Sequence, residues 1–178
     1  MNISDFDYKL PKELIAQQPL AKRSNSRLLC LNKTTDTITH HYFKELHKLL
    51  SARDLLILND TKVVPARLYA HKLTGGKVEI FVERIQENNT VLAQTKTSKP
   101  LRMGTKLVLT NNTYFEITGY HNKLFILKLH SPYTTETLLR KFGHVPLPPY
   151  IKHQPNIYDK KYYQTIYAKH WGGGCCPN

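Results

Sequence analysis

The chain of 178 residues carries 26 lysines and arginines against 13 aspartates and glutamates, a formal charge of +13, which favours a polyanionic partner. With 40% hydrophobic and 22% charged residues it has the make-up of a globular domain, which excludes global disorder and collagen-like or mucin-like low complexity. No apolar run approaches the roughly eighteen residues of a membrane helix, and Met1 to Asp7 is neither basic nor apolar, so a cytoplasmic protein without a membrane partner is expected.

In chain order, Pro11 suits the first position of a short helix, where its missing N–H costs nothing, with Lys12 to Gln18 following up to Pro19. Ser26 to Leu31 and Thr37 to Tyr42 read as strands, and Phe43 to Leu50 as an amphipathic helix with Phe43, Leu46, Leu49 and Leu50 on one side. The apolar run Asp54 to Leu58 predicts a strand covered on both faces, ending in the polar loop Asn59-Asp60-Thr61-Lys62. From Arg67 the pattern changes to short strands. Arg67 to Lys72, the turn Leu73-Thr74-Gly75-Gly76 and Lys77 to Ile85 predict a hairpin, with Val78, Ile80 and Val82 on one face. Thr90 to Thr95, Lys106 to Leu109, Tyr114 to Thr118 and Leu124 to Leu129 follow, and strands at this spacing predict a small barrel. Thr134 to Phe142 reads as a helix capped by Thr134 or Thr135 and stopped at Gly143, beyond which Val145-Pro146-Leu147-Pro148-Pro149 cannot continue it. The fold class expected is an incomplete α/β main domain with an inserted all-β barrel: residues 1–66 open the main domain, 67–130 form the barrel, and 131–178 return to the main domain.

Open α/β sheets bind ligands at loops that follow buried strands, which makes Asn59, Asp60, Thr61 and Lys62 candidates; the same residue types are ordinary turn formers, and both readings stay open. Gly75-Gly76 suits either a ligand approaching the backbone or a hairpin that needs positive φ. Glu79 and Glu83 lie opposite the Val78, Ile80 and Val82 face, where carboxylates are solvated or ion-paired. His144, between Gly143 and a proline-stiffened loop, can serve as general acid or base, or face the carbonyls of the preceding helix. Of the nine histidines, His40, His41 and His47 lack the i, i+4 spacing of a zinc pair, and there is no Cys-x-x-Cys, so no metal is expected. Cys30, Cys175 and Cys176 form an odd set without regular spacing, which fits a reducing compartment. Lys22-Arg23, Arg27, Lys96, Lys99, Arg102, Arg140-Lys141, Lys152 and Lys160-Lys161, with Tyr150, Tyr158, Tyr162 and Tyr163 near the last of these, supply phosphate contacts and stacking rings for a nucleic acid.

Several ordered blocks carry a more specific signal. They are Leu10-Pro11, Leu14-Ile15-Ala16-Gln17-Gln18-Pro19, Arg23 and Ser26-Arg27-Leu28-Leu29; then Leu58-Asn59-Asp60-Thr61-Lys62-Val63-Val64-Pro65-Ala66-Arg67-Leu68; then Gly75-Gly76-Lys77-Val78-Glu79. Gly143-His144-Val145-Pro146-Leu147-Pro148-Pro149-Tyr150-Ile151 and Tyr163-Gln164-Thr165-Ile166-Tyr167 complete the set. Together, from about Asp5 to Lys169, they resemble the N-terminal half of the S-adenosylmethionine:tRNA ribosyltransferase-isomerase family of queuosine biosynthesis. Ala70, where that family usually has Gly, is a small departure.

The resemblance implies transfer and isomerisation of the ribosyl part of S-adenosylmethionine, as co-substrate, onto a 7-aminomethyl-7-deazaguanine in tRNA. Epoxyqueuosine forms, adenine and methionine leave, no metal takes part, and the enzyme is monomeric. It implies proton transfer by Asp60, Glu79 and His144 and substrate positioning by Asn59, Thr61, Arg67, Gln164 and Tyr167. Family members are longer and continue past the position of Trp171 with Gly-Ala-Val-Ala-Ala-Pro-Thr, whereas this chain reads Gly172-Gly173-Gly174-Cys175-Cys176-Pro177-Asn178. Codon degeneracy lets those residues be re-read one base on as the family's continuation, so a frameshift at Trp171-Gly172 and an inactive, truncated product are expected. The alternative expectation is a non-catalytic basic RNA-binding fragment built on the barrel.

Overall fold

The computed structural model describes residues 2–171; the expected departure at Gly172 to Asn178 and the pair Cys175 and Cys176 lie outside the described residues. The chain divides into two compact units, Met1–Ile57 with Pro149–His153 and Leu58–Pro148 with Gln154–Asn178.

In the first unit, β1 (Arg27–Asn32) and β2 (Thr37–Tyr42) form an antiparallel hairpin in register from Arg27↔Tyr42 to Asn32↔Thr37. Its turn is held by Asn32 Oδ1, which accepts from the amides of Thr34 (2.9 Å) and Thr35 (3.2 Å), with Asp36 at φ 51°. Asn and Asp serve such turns because they tolerate left-handed backbone and bond to nearby amides. Gln17 ties the distant stretch Pro149–His153 into this unit: its Nε2 donates to the Tyr150 carbonyl (3.1 Å) and its Oε1 accepts from the Lys152 amide (2.9 Å).

Three expectations for this part of the chain are corrected. The helix expected over Lys12 to Gln18 is a single 3-10 turn, Lys12–Leu14, because Pro11 and Ile15 are both extended at ψ 130° and 107°. The helix expected over Phe43 to Leu50 is a 3-10 turn, Phe43–Glu45, followed by one α-helical turn, α1 (Leu46–Leu49). Phe43 and Leu49 remain 50% and 43% exposed, so the apolar side has no packing partner to lengthen a short helix. The run Asp54 to Leu58, expected as a buried strand, pairs with no strand among the described residues, and Leu55 and Ile57 are 85% and 84% exposed. Apolar sequence alone does not make a strand; the backbone groups need neighbours to bond.

The second unit is built on a closed antiparallel barrel of β4 (Arg67–Lys72), β5 (Lys77–Gln86), β6 (Thr90–Thr97), β7 (Lys106–Thr110), β8 (Thr113–His121) and β9 (Leu124–His130), ordered β4-β5-β6-β9-β8-β7. The expected strands are all present, most of them longer by a residue or more. Alternation places Leu68, Ile80, Leu107, Phe115, Ile117 and Leu127 inside, each at 0–1% exposure and each contributing about 1.5–3 kcal/mol by burial. Register shifts at Val82/Arg84, Val108/Thr110 and Ile117/Gly119 bend the strands enough to close the ring. The hairpin turn uses Gly75 at φ 85°.

Helix α2 (Thr135–Phe142) adds Leu138 and Leu139 to the barrel core. Thr134 caps it, Oγ1 accepting from the Thr137 amide at 3.3 Å, while Arg140 and Lys141 sit favourably in its last turn. Gly143 ends the helix as expected, yet at φ −77°, a conformation open to any residue. Glycine is required there for space, since a Cβ would stand 1.9 Å from the Pro65 carbonyl oxygen. Three further elements were not expected, a helix and a pair of short strands. Helix α3 (Ile157–Tyr162) starts at Asn156, whose Oδ1 accepts from the Tyr158 and Asp159 amides, and Asp159 returns a bond to the Asn156 amide. Within the supposed loop Asn59–Lys62, β3 (Thr61–Lys62) pairs in parallel with β10 (His170–Trp171).

Candidate functional site

The residues to which the resemblance assigns proton transfer and substrate positioning all fall in the second unit and gather in two groups. The first stands on the outer surface of the barrel. Strand alternation turns Arg67 and Tyr69 outward from β4 and Glu79 outward from β5, with Tyr69 directly opposite Glu79 and Arg67 one step along the diagonal. Arg67 Nε lies 2.9 Å from Glu79 Oε1, both side chains being about one-quarter to one-third exposed, at 24% and 31%. That Nε is out of solvent and has no well-aligned hydrogen bond, so the neighbouring carboxylate charge is its compensation.

His144 is fixed to the same place by its main chain. Its amide donates to the Arg67 carbonyl (2.8 Å) and its carbonyl accepts from the Arg67 amide (3.2 Å), an isolated antiparallel bridge that extends β4 sideways. Buried Val145 and Leu147 hold the following segment, and the imidazole tilts against the Tyr69 ring at 5.1 Å between centroids. Arg67, Glu79, His144 and Tyr69 therefore form one cluster with a cation, a carboxylate, an imidazole and an aromatic face.

The second group surrounds β3. Asn59 Oδ1 accepts from the Thr61 amide (2.9 Å), an Asx turn that sets the loop. Asp60 receives the Lys169 amide on its carbonyl at 2.7 Å, and its carboxylate Oδ2 lies 3.6 Å from His170 Nε2. Gln164 grips the Val63 main chain at both ends, Oε1 accepting from its amide (2.8 Å) and Nε2 donating to its carbonyl (3.2 Å). Thr165 donates to the Asn59 carbonyl (3.1 Å) and accepts from the Tyr167 amide (3.3 Å), leaving the Tyr167 ring 44% exposed.

The structure thus brings Arg67, Glu79 and His144 together, and separately Asn59, Asp60, Thr61, Gln164 and Tyr167, with Val63 to Ala66 as the covalent link. Sequence reasoning passed over Tyr69, Thr165 and His170. The alternation of β4 signals Tyr69 as an outward ring beside Arg67; for His170 the one hint is its place three residues beyond Tyr167. Among the described residues no three or more His, Cys, Asp or Glu side chains converge as metal ligands would.

Comparison with known proteins places this geometry in context. Residues 3–178 match the family described as Queuosine biosynthesis protein. The S-adenosylmethionine:tRNA ribosyltransferase-isomerase of Coxiella burnetii (strain Dugway 5J108-111) is 46% identical over 174 residues, 98% of this chain and 51% of that protein. The protein of the same name from Legionella pneumophila (strain Lens) is 46% identical over 177 residues, 99% of this chain and 52% of its own length. A crystal structure of S-adenosylmethionine tRNA ribosyltransferase from Thermotoga maritima is similar at 34% identity over 79% of this chain and 48% of that one, with a TM-score of 0.39. The chain spans about half the length of the curated relatives it matches.

Proposed function

The chain belongs to the queuosine biosynthesis protein family, and on that premise we propose that it is the front part of an S-adenosylmethionine:tRNA ribosyltransferase-isomerase. The observation that carries the reading is sequence identity of 46% sustained over 98% of the chain with relatives of that name. The substrates are S-adenosylmethionine and a tRNA bearing 7-aminomethyl-7-deazaguanine; the products are epoxyqueuosine in the tRNA, adenine and methionine. A charge of +13 suits a polyphosphate substrate, and the enzyme acts as a cytoplasmic monomer.

The chemistry begins with the sulfonium, which acidifies the neighbouring C5′ hydrogens so that a positioned base can remove one, opening the way to loss of adenine. Asp60, Glu79 and His144 are the proton-transfer groups of this reading. Arg67 fixes the Glu79 carboxylate at 2.9 Å, and the backbone bridge to Arg67 holds His144 in the same cluster. Asn59 and Thr61 shape the loop that carries Asp60, and Tyr167 offers an exposed ring. Gln164 acts on the substrate through the Val63 backbone it clamps.

The same proposal gives the chain an incomplete α/β main domain, residues 1–66 and 131–178, into which the barrel of residues 67–130 is inserted. Support comes from the parallel pairing of β3 with β10, a pattern typical of sheets covered on both faces, and from the exposed apolar side chains of Leu55, Leu56 and Ile57.

Adenine release from S-adenosylmethionine in the presence of the cognate tRNA tests the function, measured on this chain and on a version extended as the shifted reading frame would extend it. The extended version is expected to release adenine in a tRNA-dependent way, with Asp60→Asn, Glu79→Gln and His144→Ala each lowering the rate by about 10²–10⁴ where the group moves a proton. Absence of tRNA-dependent release from the extended version sinks the reading. A second reading, a non-catalytic basic RNA-binding fragment, is favoured by the closure of the barrel around its own core; it expects salt-dependent tRNA binding without adenine release.

A further inference from the structure

The outer surface of β4, β5 and β6 holds a feature that extends beyond the proton-transfer residues and shares Glu79 with them. A groove of about 530 Å³, open to solvent, runs across these strands and is lined by Tyr69, His71, Lys77, Glu79 and Lys96 among others. Register sets its chemistry: Tyr69, Glu79 and Lys96 are directly opposite one another on three consecutive strands, and His71 faces Lys77 in the next row. Adjacent strands lie about 4.8 Å apart, so the row from Tyr69 to Lys96 spans about 10 Å, room for a base and its adjoining phosphate.

Charge decides what such a groove attracts. Glu79, the one carboxylate in its lining, is already paired with Arg67 at 2.9 Å. Lys77 and Lys96 are exposed, and among the described residues neither takes part in an ion pair. The groove therefore presents two uncompensated cations beside Tyr69, which is 46% exposed and whose ring meets the His144 imidazole at a tilt, 5.1 Å between centroids. A half-exposed tyrosine, next to lysines that act as point charges, suits an unstacked base and its flanking phosphates. An acidic peptide would satisfy the lysines but leave the ring idle.

We propose that this groove binds a single-stranded stretch of RNA, Tyr69 stacking one splayed base while Lys77 and Lys96 contact the adjoining phosphates. The assignment rests on the tRNA-directed function above and deepens it, because the groove shares Glu79 with the candidate reactive cluster and so delivers an unpaired nucleotide to its edge.

Binding of the chain to a labelled unmodified tRNA transcript, titrated at several salt concentrations, tests the assignment. Tyr69→Ala is expected to weaken binding roughly 5- to 150-fold with no change in salt slope, and Tyr69→Phe to restore it. The double substitution Lys77→Gln with Lys96→Gln is expected to reduce the slope of log affinity against log salt by about 1.4, at roughly 0.7 per phosphate contact on a single strand. Lys123→Gln, in the turn between β8 and β9, serves as a charge control that leaves ring-dependent binding intact. The proposal falls if either Tyr69→Ala or the lysine pair leaves binding unchanged, or if polyglutamate displaces the RNA from wild type and Tyr69→Ala equally well. Survival of adenine release in the extended protein under any of those outcomes overturns the groove while sparing the function; a wild-type chain with no affinity for tRNA overturns the groove and the RNA-binding reading together.

Discussion

Gly143 and Pro65 meet backbone to backbone: a Cβ at Gly143 would stand 1.9 Å from the Pro65 carbonyl oxygen and 2.3 Å from that of Leu139. The contact seats the end of α2 against the segment that leads into β4, and His144, the next residue, makes its bridge to Arg67 from that seat. Gly143→Ala forces the two backbones apart. A loss of about 3 kcal/mol is expected, lowering the melting temperature of the barrel unit by roughly 10–20 °C, together with faster hydrogen exchange at the Arg67 and His144 amides. Unchanged exchange at those amides would show that the seat does not position His144.

The Arg67–Glu79 pair should register as a coupled unit. A double-mutant cycle with Arg67→Met and Glu79→Gln, followed by urea unfolding, is expected to give a coupling of about 0.5–1 kcal/mol, since both groups keep some solvent contact. Salt should reduce it. A coupling near zero would leave the 2.9 Å approach without energetic weight.

Gln164 is expected to act through Val63. Gln164→Glu keeps the acceptor for the Val63 amide but loses the donor to its carbonyl, whereas Gln164→Leu loses both. The second substitution should cost about 1–3 kcal/mol locally, seen as faster exchange at the Val63 amide, with the first in between. Equal effects from the two variants would argue against a two-ended clamp.

Thr134→Ala removes the side-chain oxygen that accepts from the Thr137 amide. A cost of about 1 kcal/mol is expected, and Thr134→Ser should recover most of it. Since Leu138 and Leu139 of this helix belong to the barrel core, chemical or thermal unfolding of the barrel reads out the cap.

Acid should loosen the start of the helical turn that follows β2. The Tyr42 amide, donating to Glu45 at 3.0 Å, holds the carboxyl below its ordinary value of 4.5, with Lys48 adding to the effect. A carboxylate lowered in the folded state contributes stability in full above 4.5 and loses it as pH falls through the lowered value. Exchange at the Tyr42 amide is therefore expected to quicken in that acidic window in wild type and to be fast and pH-insensitive there, apart from intrinsic exchange, in Glu45→Gln.

The barrel was legible because its signals are local. Alternation in Val78, Ile80 and Val82, the glycine turn at Gly75 and the Asn-rich breaks at Asn88-Asn89 and Asn111-Asn112 each mark a strand or its end within a few residues. The expected residues Arg67, Glu79 and His144 do come together, but spacing alone could not show it: the cluster needs the β4–β5 register and the return of the chain at His144. Leu55 to Leu58 misled for the opposite reason, since a strand-like composition says nothing about whether a neighbouring strand is present to bond it. The α3 helix was missed although its signal is local; Asn156 followed three residues later by Asp159 is a helix-start signature. The β3–β10 pair joins Thr61 to His170 across a separation that no sequence window reaches.

That last pairing also imposes an order on assembly. During synthesis the chain from Arg67 to Phe142 emerges complete, and the barrel with α2 can close around its own core before His170 exists. The strand that completes Thr61 and Lys62, and the Lys169 amide that holds the Asp60 carbonyl, arrive only afterwards. The loop that carries Asp60 is consequently completed later than the barrel, and a nascent chain interrupted before Lys169 has a finished barrel beside a loop that still lacks its partner strand.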